Sequence, residues 1–302
     1  MGVLDSIGNT PLVRLESLNA NPRVTVLAKL EGNNPGGSVK DRIALCMIRD
    51  AEEKRLIKNG DTILEATSGN TGIGLAMVGA ALGYKVLLTM PECVSMERRK
   101  ILEAFGAELI LSPGNQGTDG AIKLARKMTE ENPGRYFMPN QFDNPANVRA
   151  HYENTGKEII KQTKGEIDVF VAGMGTTGTL MGVGKRLREF KTDIRIVGVE
   201  PVLGHKIQGL KNMQESIVPK IFHRPFPDEI LSVNDEEAFT TTRHLALREG
   251  IFAGMSSGAA VFGALTLAKR MDRGTVVVIL PDRGDRYLST ALFTSVCAKC
   301  PP

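Results

Sequence analysis

Short runs of β-branched residues alternate along most of this chain with longer stretches that repeat apolar residues at helical spacing. Parallel strands joined by helices produce this alternation. The sequence therefore predicts an α/β fold with parallel, largely buried strands. The strand-like runs are 24–30, 62–66, 85–90, 167–172, 194–199 and 275–280. The helical stretches are 41–55, 72–82, 96–105, 118–129, 146–162, 179–190, 235–248 and 257–271.

Two irregular, proline-bearing stretches, 132–145 and 202–228, interrupt the alternation. A chain of 302 residues with 42% hydrophobic content is long enough to form two packed lobes. We place the lobe boundary in the first stretch, which predicts a smaller N-terminal domain over 1–144 and a larger domain over 145–302. The second stretch is long enough that we expect it to fold over a functional site.

A glycine-rich loop, Gly173-Met-Gly-Thr-Thr-Gly178, follows a predicted buried strand and precedes a predicted helix. Backbone N–H groups and the helix dipole converge at such a junction, which predicts an anion site suited to a phosphate. The loop also fits the dinucleotide fingerprint, with Glu200 where a ribose-binding acid would stand. A third interpretation is that the glycines only allow tight packing between strand and helix.

Lys40 stands at the start of a predicted helix, two residues after Ser38, a residue type that often caps helices. The positive end of the helix dipole disfavours an ammonium group there and lowers the pKa of the lysine toward that of a usable nucleophile. A single lysine after a glycine turn is more often a solvated surface residue. Lys40 together with a phosphate loop, however, is what a pyridoxal-phosphate enzyme needs.

Two more helix starts carry hydroxyl or amide side chains: the loop 67–71, which reads Thr-Ser-Gly-Asn-Thr, and the segment that begins at Ser256. The first suits a substrate carboxylate, because it adds side-chain donors to a helix N-terminus. The alternative for both is that the hydroxyl residues only cap the helices.

Charge and composition argue against several classes of function. The net charge of +4 is spread along the chain without a run of like charges, so we expect no nucleic-acid partner. No apolar run is long enough for a membrane span, and the first twelve residues do not read as a signal peptide. Four scattered cysteines favour the cytoplasm over an oxidising compartment, with Cys297 and Cys300 interpreted as part of a frayed tail. The four histidines lack ligand spacing, so we predict no catalytic metal.

Several motifs, in order and nearly end to end, resemble those of the O-acetylserine sulfhydrylases, which are cysteine synthases. They are IGNTPL at 7–12, EGNNPGGSVKDR at 31–42, TSGNTG at 67–72, MERRK at 96–100, GTTGT at 175–179 and DRYLST at 285–290.

This resemblance implies a fold-type II pyridoxal 5'-phosphate enzyme, similar to the tryptophan synthase β chain, with two open, twisted, mostly parallel sheets flanked by helices. The smaller domain would close over the substrate, and part of 1–36 would cross to the larger domain. The resemblance implies that Lys40 forms an internal aldimine with the cofactor, that Asn70 binds its ring hydroxyl and that Ser256 binds its pyridine nitrogen. The residues that would bind the cofactor phosphate are Gly175, Thr176, Thr177, Gly178 and Thr179. Those that would bind the substrate carboxylate are Thr67, Ser68, Thr71 and Gln141.

The implied reaction makes L-cysteine from O-acetylserine or O-phosphoserine and a sulfur donor, sulfide or thiosulfate, through an aminoacrylate. A homodimer is also implied. The segments 175–179 and 282–286 look like those of the B-type enzymes, whereas Leu280-Pro281 looks more like the A-type. Lys211 stands at about the place where B-type relatives carry arginine, which suggests that it binds a larger anionic substrate.

Other functions stay open from the sequence. Related fold-type II enzymes such as cystathionine β-synthase share the lysine and the phosphate loop. The glycines at 173, 175 and 178 with Glu200 would also suit a nicotinamide-dependent dehydrogenase. A pyridoxal-phosphate-binding regulator without turnover is the third alternative.

Overall fold

The computed structural model describes residues 2–67 and 69–293, so that Ser68, Cys297 and Cys300 lie outside the described residues. The strands in this part are β1 (Leu12–Arg14), β2 (Val24–Leu30), β3 (Thr62–Ala66), β4 (Lys85–Pro91), β5 (Glu108–Ser112), β6 (Tyr136–Phe137), β7 (Val169–Gly173), β8 (Arg195–Pro201), β9 (Glu229–Val233) and β10 (Gly274–Leu280). The α-helices are α1 (Lys40–Glu53), α2 (Asn70–Leu82), α3 (Met96–Ala104), α4 (Gly117–Glu131), α5 (Pro145–Ala150), α6 (Gly156–Thr163), α7 (Gly178–Phe190), α8 (Asp235–Glu249) and α9 (Met255–Arg270).

The strands form two sheets. One has six strands in the order β1-β2-β10-β7-β8-β9, and the other has four in the order β5-β4-β3-β6. All neighbours are parallel except β1 and β2, which pair antiparallel. The predicted fold class, two mostly parallel sheets flanked by helices, is therefore confirmed.

The strand β10 shows why the buried strands could be recognised from the sequence. Val276 and Val278 pack into a core cluster with residues of α8 and α9, whereas Val277 and Ile279 pack into the cluster of α6 and α7 on the opposite face. Because helices cover both faces of the sheet, the residues of β10 from Val276 onward are apolar, both those that point to one face and those that point to the other. The strand therefore appears in the sequence as a continuous run of β-branched residues.

The two sheets differ in where their strands come from in the chain. The six-stranded sheet takes β1 and β2 from the first thirty residues and its other strands from 169 onward, while the four-stranded sheet uses strands between 62 and 137. We propose that the domain boundary lies near 144, as the sequence predicts, with β1 and β2 belonging to the larger domain.

The helix predicted over 146–162 departs from regular α geometry at its centre. The structure has α5, then a π-helical turn at His151–Thr155, then α6. A π-turn inserts one residue into the helical repeat and is frequent at functional sites. Within the described residues, no helix combines the length and apolar character that crossing a membrane requires.

Candidate functional site

A cavity of about 750 Å³ lies where strands of both sheets end, lined by residues that follow β3, β4, β7 and β10. In open α/β sheets, ligands bind in the crevice outside the carboxyl ends of the strands. The predicted site residues that line this cavity are Lys40, Thr67, Asn70, Thr71, Gln141, Gly175, Thr176, Thr179, Lys211 and Ser256. Thr177 and Gly178 belong to the same loop but do not line the cavity.

Lys40 is the first residue of α1, as the sequence predicts, and the Ser38 hydroxyl accepts a hydrogen bond of 3.1 Å from its backbone N–H. The ammonium group makes no hydrogen bond or ion pair with another described residue. Burial lowers the pKa of Lys40 to about 8, and the nearby carboxylates of Asp282 and Glu31 only partly oppose this. About one-tenth of the amine is therefore unprotonated at pH 7, far more than for an ordinary lysine, and able to act as a nucleophile or base.

The loop 175–179 ends at the N-terminus of α7, where the first backbone N–H groups have no partner inside the helix. Thr177 has a φ of +66°, and its hydroxyl oxygen is buried without a hydrogen-bond partner. The groups that can reach an anion in the cavity are the free backbone N–H groups of this helix start and the hydroxyls of Thr176 and Thr179, which line the cavity. The donors present here fit a phosphate group.

Glycine is required at two positions of this loop because neighbouring atoms fill the space of a side chain. A Cβ at Gly175 would lie 2.5 Å from the Gly209 carbonyl oxygen. A Cβ at Gly178 would lie 1.9 Å from Oδ1 of Asn147, a buried side chain whose Nδ2 donates to the Gln141 carbonyl and to Thr176 Oγ1. The loop is thus held from behind by α5.

The loop 67–71 carries the residues assigned to a substrate carboxylate. Thr67 Oγ1 accepts hydrogen bonds from the N–H groups of Gly69 and Gly72, at 3.0 and 3.3 Å, so this residue does cap the start of α2. It lines the cavity as well, and the two roles are compatible because its hydroxyl proton is not used by the cap. Thr71 donates a hydrogen bond of 2.5 Å to Gln141 Oε1, which places these two side chains against each other.

Asn70 is held in one orientation by a buried polar network. Its Nδ2 donates to Asp282 Oδ2 at 2.7 Å, and its Oδ1 accepts from Arg286 Nη1 at 2.7 Å. A carboxylate only accepts and a guanidinium only donates, so the amide cannot be flipped. The second N–H of Asn70 is left to donate to a bound group. Asp282 is itself held by the Tyr287 hydroxyl at 2.6 Å.

Ser256 lies in the first turn of α9, after Gly254 at the N-cap position. Its hydroxyl has no hydrogen-bond partner among the described residues and lines the cavity. The alternative of a simple cap is wrong for this residue, because the helix begins one residue earlier and the hydroxyl does not bond to the backbone of its first turn.

Lys211 lies in the irregular segment 202–228, which contributes residues to the cavity wall as predicted. Its Nζ is 2.9 Å from Asp119 Oδ1 and 4.9 Å from the centre of the Phe142 ring. Asp119 lies in the first turn of α4, a helix that packs against the four-stranded sheet, so this ion pair connects that helix with the irregular segment. The side chain that was predicted to bind an anion is paired with a carboxylate of the chain.

Sequence reasoning missed several residues that support the site. Asp282 and Arg286 belong to segments noted for the subtype pattern and for the family resemblance, and no signal in one sequence showed that they contact Asn70. Asn147 and His151 lie in a stretch whose sequence is that of an ordinary helix. Only the structure distinguishes them from its other polar residues, because it shows both side chains fully buried. In the part of the chain that the structure describes, no three His, Cys, Asp or Glu side chains are grouped as metal ligands would be.

A family model described as pyridoxal-phosphate dependent enzyme matches residues 3–282. The chain belongs to this family. It is 50% identical to the cysteine synthase B of Salmonella typhimurium over 288 residues, which are 95% of this chain and 94% of that protein. It is 48% identical to the cysteine synthase of Aquifex aeolicus over 300 residues, 97% of this chain and 92% of that one. The solved structure of an O-ureido-L-serine synthase has a TM-score of 0.91 at 45% identity, covering 97% of this chain and 95% of the other.

These comparisons confirm the resemblance read from the motifs, and they confirm pyridoxal phosphate as the cofactor of an enzyme. The dehydrogenase alternative is wrong. Glu200, its candidate ribose ligand, does not line the cavity, and its carboxylate accepts from the backbone N–H of Met213.

Proposed function

We propose that this enzyme forms L-cysteine by replacing the β-substituent of an activated serine with a sulfur nucleophile. The observation that carries the proposal is the amine of Lys40, unpaired and with a lowered pKa, in one cavity with an anion loop and a carboxylate loop. The names of the cysteine synthases at about half identity support the same reaction.

The roles of the chain's own residues follow from their positions. Lys40 would hold the cofactor, and the loop 175–179 would bind its phosphate through N–H groups and hydroxyls. The second N–H of Asn70 would donate to the ring hydroxyl oxygen, and the Ser256 hydroxyl would bind the ring nitrogen. A neutral hydroxyl at this nitrogen does not stabilise a protonated ring, which favours β-elimination over transamination.

Bound pyridoxal phosphate supplies an electron sink that weakens the bond between the substrate's α-carbon and its hydrogen. Thr67, Thr71 and Gln141 bind and orient the substrate carboxylate, and Ser68 is assigned to the same role from the sequence. Lys40 Nζ takes the α-proton, and a base with a pKa of about 8 suits this transfer at neutral pH. Acetate leaves the β-carbon with its bonding electrons, hydrosulfide bonds to that carbon, and Lys40 returns a proton to the α-carbon.

The experiment is an assay of L-cysteine formed from O-acetylserine and sulfide by the purified enzyme loaded with its cofactor. Lys40→Ala is the control, because it removes both the cofactor bond and the base while leaving the rest of the cavity. We expect the unsubstituted enzyme to form cysteine at least about a thousandfold faster than the variant. Cysteine formation at equal rates by both proteins would contradict the proposal, and so would a loaded enzyme that forms no cysteine.

We propose a B-type preference, in which Lys211 contributes to binding an anionic substrate such as O-phosphoserine or thiosulfate. The proposal is supported by the position of this cation at the cavity wall, where an anionic substrate would have to displace the Asp119 carboxylate. Lys211→Ala should lower kcat/KM for the anionic substrates more than for O-acetylserine and sulfide. An unchanged kcat/KM for every anionic substrate would remove Lys211 from the site.

We further propose that the enzyme is a cytoplasmic homodimer whose smaller domain closes over the substrate, as the resemblance implies. Light scattering of the loaded enzyme tests the dimer, since it should give twice the chain mass of 32.7 kDa. Small-angle scattering with and without a bound amino acid tests closure, which should reduce the radius of gyration.

A further inference from the structure

The helical segment formed by α5, the π-turn and α6 passes directly behind the loop 175–179. Two of its buried side chains contact that loop. Asn147 donates to Thr176 Oγ1 at 3.1 Å, and His151 Nε2 lies 3.2 Å from Thr179 Oγ1. Nothing in the proposed reaction uses His151, which is 1% exposed.

His151 lies between two hydroxyl groups, one on each ring nitrogen. Its Nδ1 is 3.0 Å from Oγ1 of Thr155, the last residue of the π-turn, and Thr155 is fully buried too. Thr179 lines the cavity, whereas Thr155 does not. The ring therefore connects one hydroxyl in the protein interior with one at the site.

The ring is neutral in this environment. Burial holds the pKa of His151 well below its ordinary value, and the positive charges of Arg42 and Lys40 lower it further against the opposing effect of Glu158. A neutral imidazole has one N–H donor and one acceptor nitrogen. The direction of one hydrogen bond therefore determines the direction of the other.

Only one of the two arrangements lets Thr179 donate into the cavity. If Nδ1 carries the proton, Nε2 accepts the Thr179 hydroxyl proton, which is then directed away from the cavity. If Nε2 carries the proton, it donates to Thr179 Oγ1, and the Thr179 proton is left for another acceptor. A phosphate offers acceptor oxygens, so the second arrangement suits a bound phosphate.

We propose that His151 is a positioning residue that donates from Nε2 to Thr179 and thereby directs the Thr179 hydroxyl to the phosphate of the cofactor. The Thr155 hydroxyl donates to Nδ1 and holds the ring in this tautomer. This inference rests on the proposed binding of the phosphate at 175–179.

The first test compares two substitutions that each keep one side of the ring. The amide nitrogen of His151→Gln reaches about the place of Nε2 and can still donate to Thr179, whereas that of His151→Asn reaches only the place of Nδ1. We measure the dissociation constant of pyridoxal phosphate by titrating the cofactor-free protein. His151→Gln should bind within about threefold of the unsubstituted protein, and His151→Asn should bind about tenfold more weakly, the scale of one hydrogen bond to a charged group.

The second test reads the tautomer in the loaded protein with His151 in place, so it does not depend on whether a His151 variant folds. The chain has four histidines, and ¹⁵N-histidine labelling with substitution of the other three assigns the two ring nitrogens of His151. We expect the proton on Nε2. A proton on Nδ1 would overturn the proposal, and so would equal cofactor affinity in the Gln and Asn variants.

Thr179→Val separates this inference from the phosphate site on which it rests. The variant keeps the shape of the side chain and removes the hydroxyl. If it binds pyridoxal phosphate as tightly as the unsubstituted protein, the placement of the phosphate at Thr179 is wrong and the role of His151 fails with it. If Thr179→Val weakens binding while the two His151 variants bind alike, the phosphate site stands and only the role of His151 is wrong.

Discussion

Single residues explain why part of the site could be predicted. Lys40, Asn70 and the loop 175–179 lie at strand-to-helix junctions, where glycine and hydroxyl residues mark a helix N-terminus in the sequence itself. Asp282 and Arg286 reach Asn70 from more than two hundred residues away. A contact between residues so distant in sequence depends on the tertiary fold, and local patterns do not encode it.

The pKa of Lys40 predicts how the cofactor-free protein takes up pyridoxal phosphate. Only the unprotonated amine reacts, so the loading rate should rise about tenfold per pH unit below 8 and level off above it. Stopped-flow absorbance measures this rate, and Nα-acetyl-lysine, measured in parallel, corrects for the titration of the cofactor. A rate that rises up to pH 10, as for an ordinary lysine, would show that burial does not lower the pKa of Lys40.

The close approach of Gly178 to Asn147 gives a second prediction at this scale. Gly178→Ala should weaken pyridoxal phosphate binding by more than about tenfold, because the added Cβ must displace either Asn147 or the start of α7. The cost should be smaller in an Asn147→Ala background, where the obstructing amide is absent. Additive effects of the two substitutions on the dissociation constant would mean that these residues do not compete for the same space.

At the scale of elements, the buried strands were predicted and the edge strands were not. The unpredicted strands β1, β5, β6 and β9 are the outer strands of the two sheets. Edge strands are short and only partly covered, and their mixed exposure, seen in β5 and β9, removes the continuous apolar run of a central strand. The π-turn at His151–Thr155 was missed for a different reason, since its residues are compatible with a regular helix.

A buried ion-pair network fixes α1, and with it Lys40, to the six-stranded sheet. Glu158 of α6 accepts from Arg42 of α1 at 2.7 Å and from Lys29 of β2 at 2.7 Å. Arg42 also pairs with Glu31 at 2.6 Å. Burial alone would raise the pKa of Glu158, but the hydrogen bonds and charges of Arg42 and Lys29 outweigh burial and lower it to about 2.

Glu158→Gln should lower the free energy of unfolding by about 3 kcal/mol at pH 7, because it leaves two buried cations short of a partner. The native pKa lies below the ordinary value of 4.5, so this contribution is present above pH 4.5 and is lost as the pH falls toward 2. Urea unfolding across this range should show the two proteins converging. Glu153→Gln, at an exposed ion pair, is the control and should change stability little. A constant difference at every pH would contradict the assignment.

At the scale of the whole molecule, the Asp119–Lys211 ion pair connects α4 with the irregular segment 202–228 across the cavity wall. Under the proposed role of Lys211, an anionic substrate must compete with Asp119 for this cation. Asp119→Asn should therefore raise kcat/KM for O-phosphoserine relative to O-acetylserine by about fivefold, the scale of one partly exposed charge pair. The gain should vanish when Lys211→Ala is added.

Lys220→Ala is the matched control for Asp119→Asn. Lys220 lies in the same irregular segment and pairs with Asp143 at 3.4 Å, but it is exposed and does not line the cavity. Its substitution should leave the substrate ratio unchanged. A ratio that responds equally to both changes would mean that the segment, and not the charge of Lys211, controls substrate choice.

The central claim is that Lys40 bonds to the cofactor in the cavity between the two sheets. Borohydride reduction of the loaded enzyme, followed by peptide mapping by mass spectrometry, fixes the cofactor to the lysine that holds it. The account predicts the label on Lys40 alone, although Lys206 and Lys211 line the same cavity. A label on either of those lysines, with Lys40 unmodified, would contradict the account.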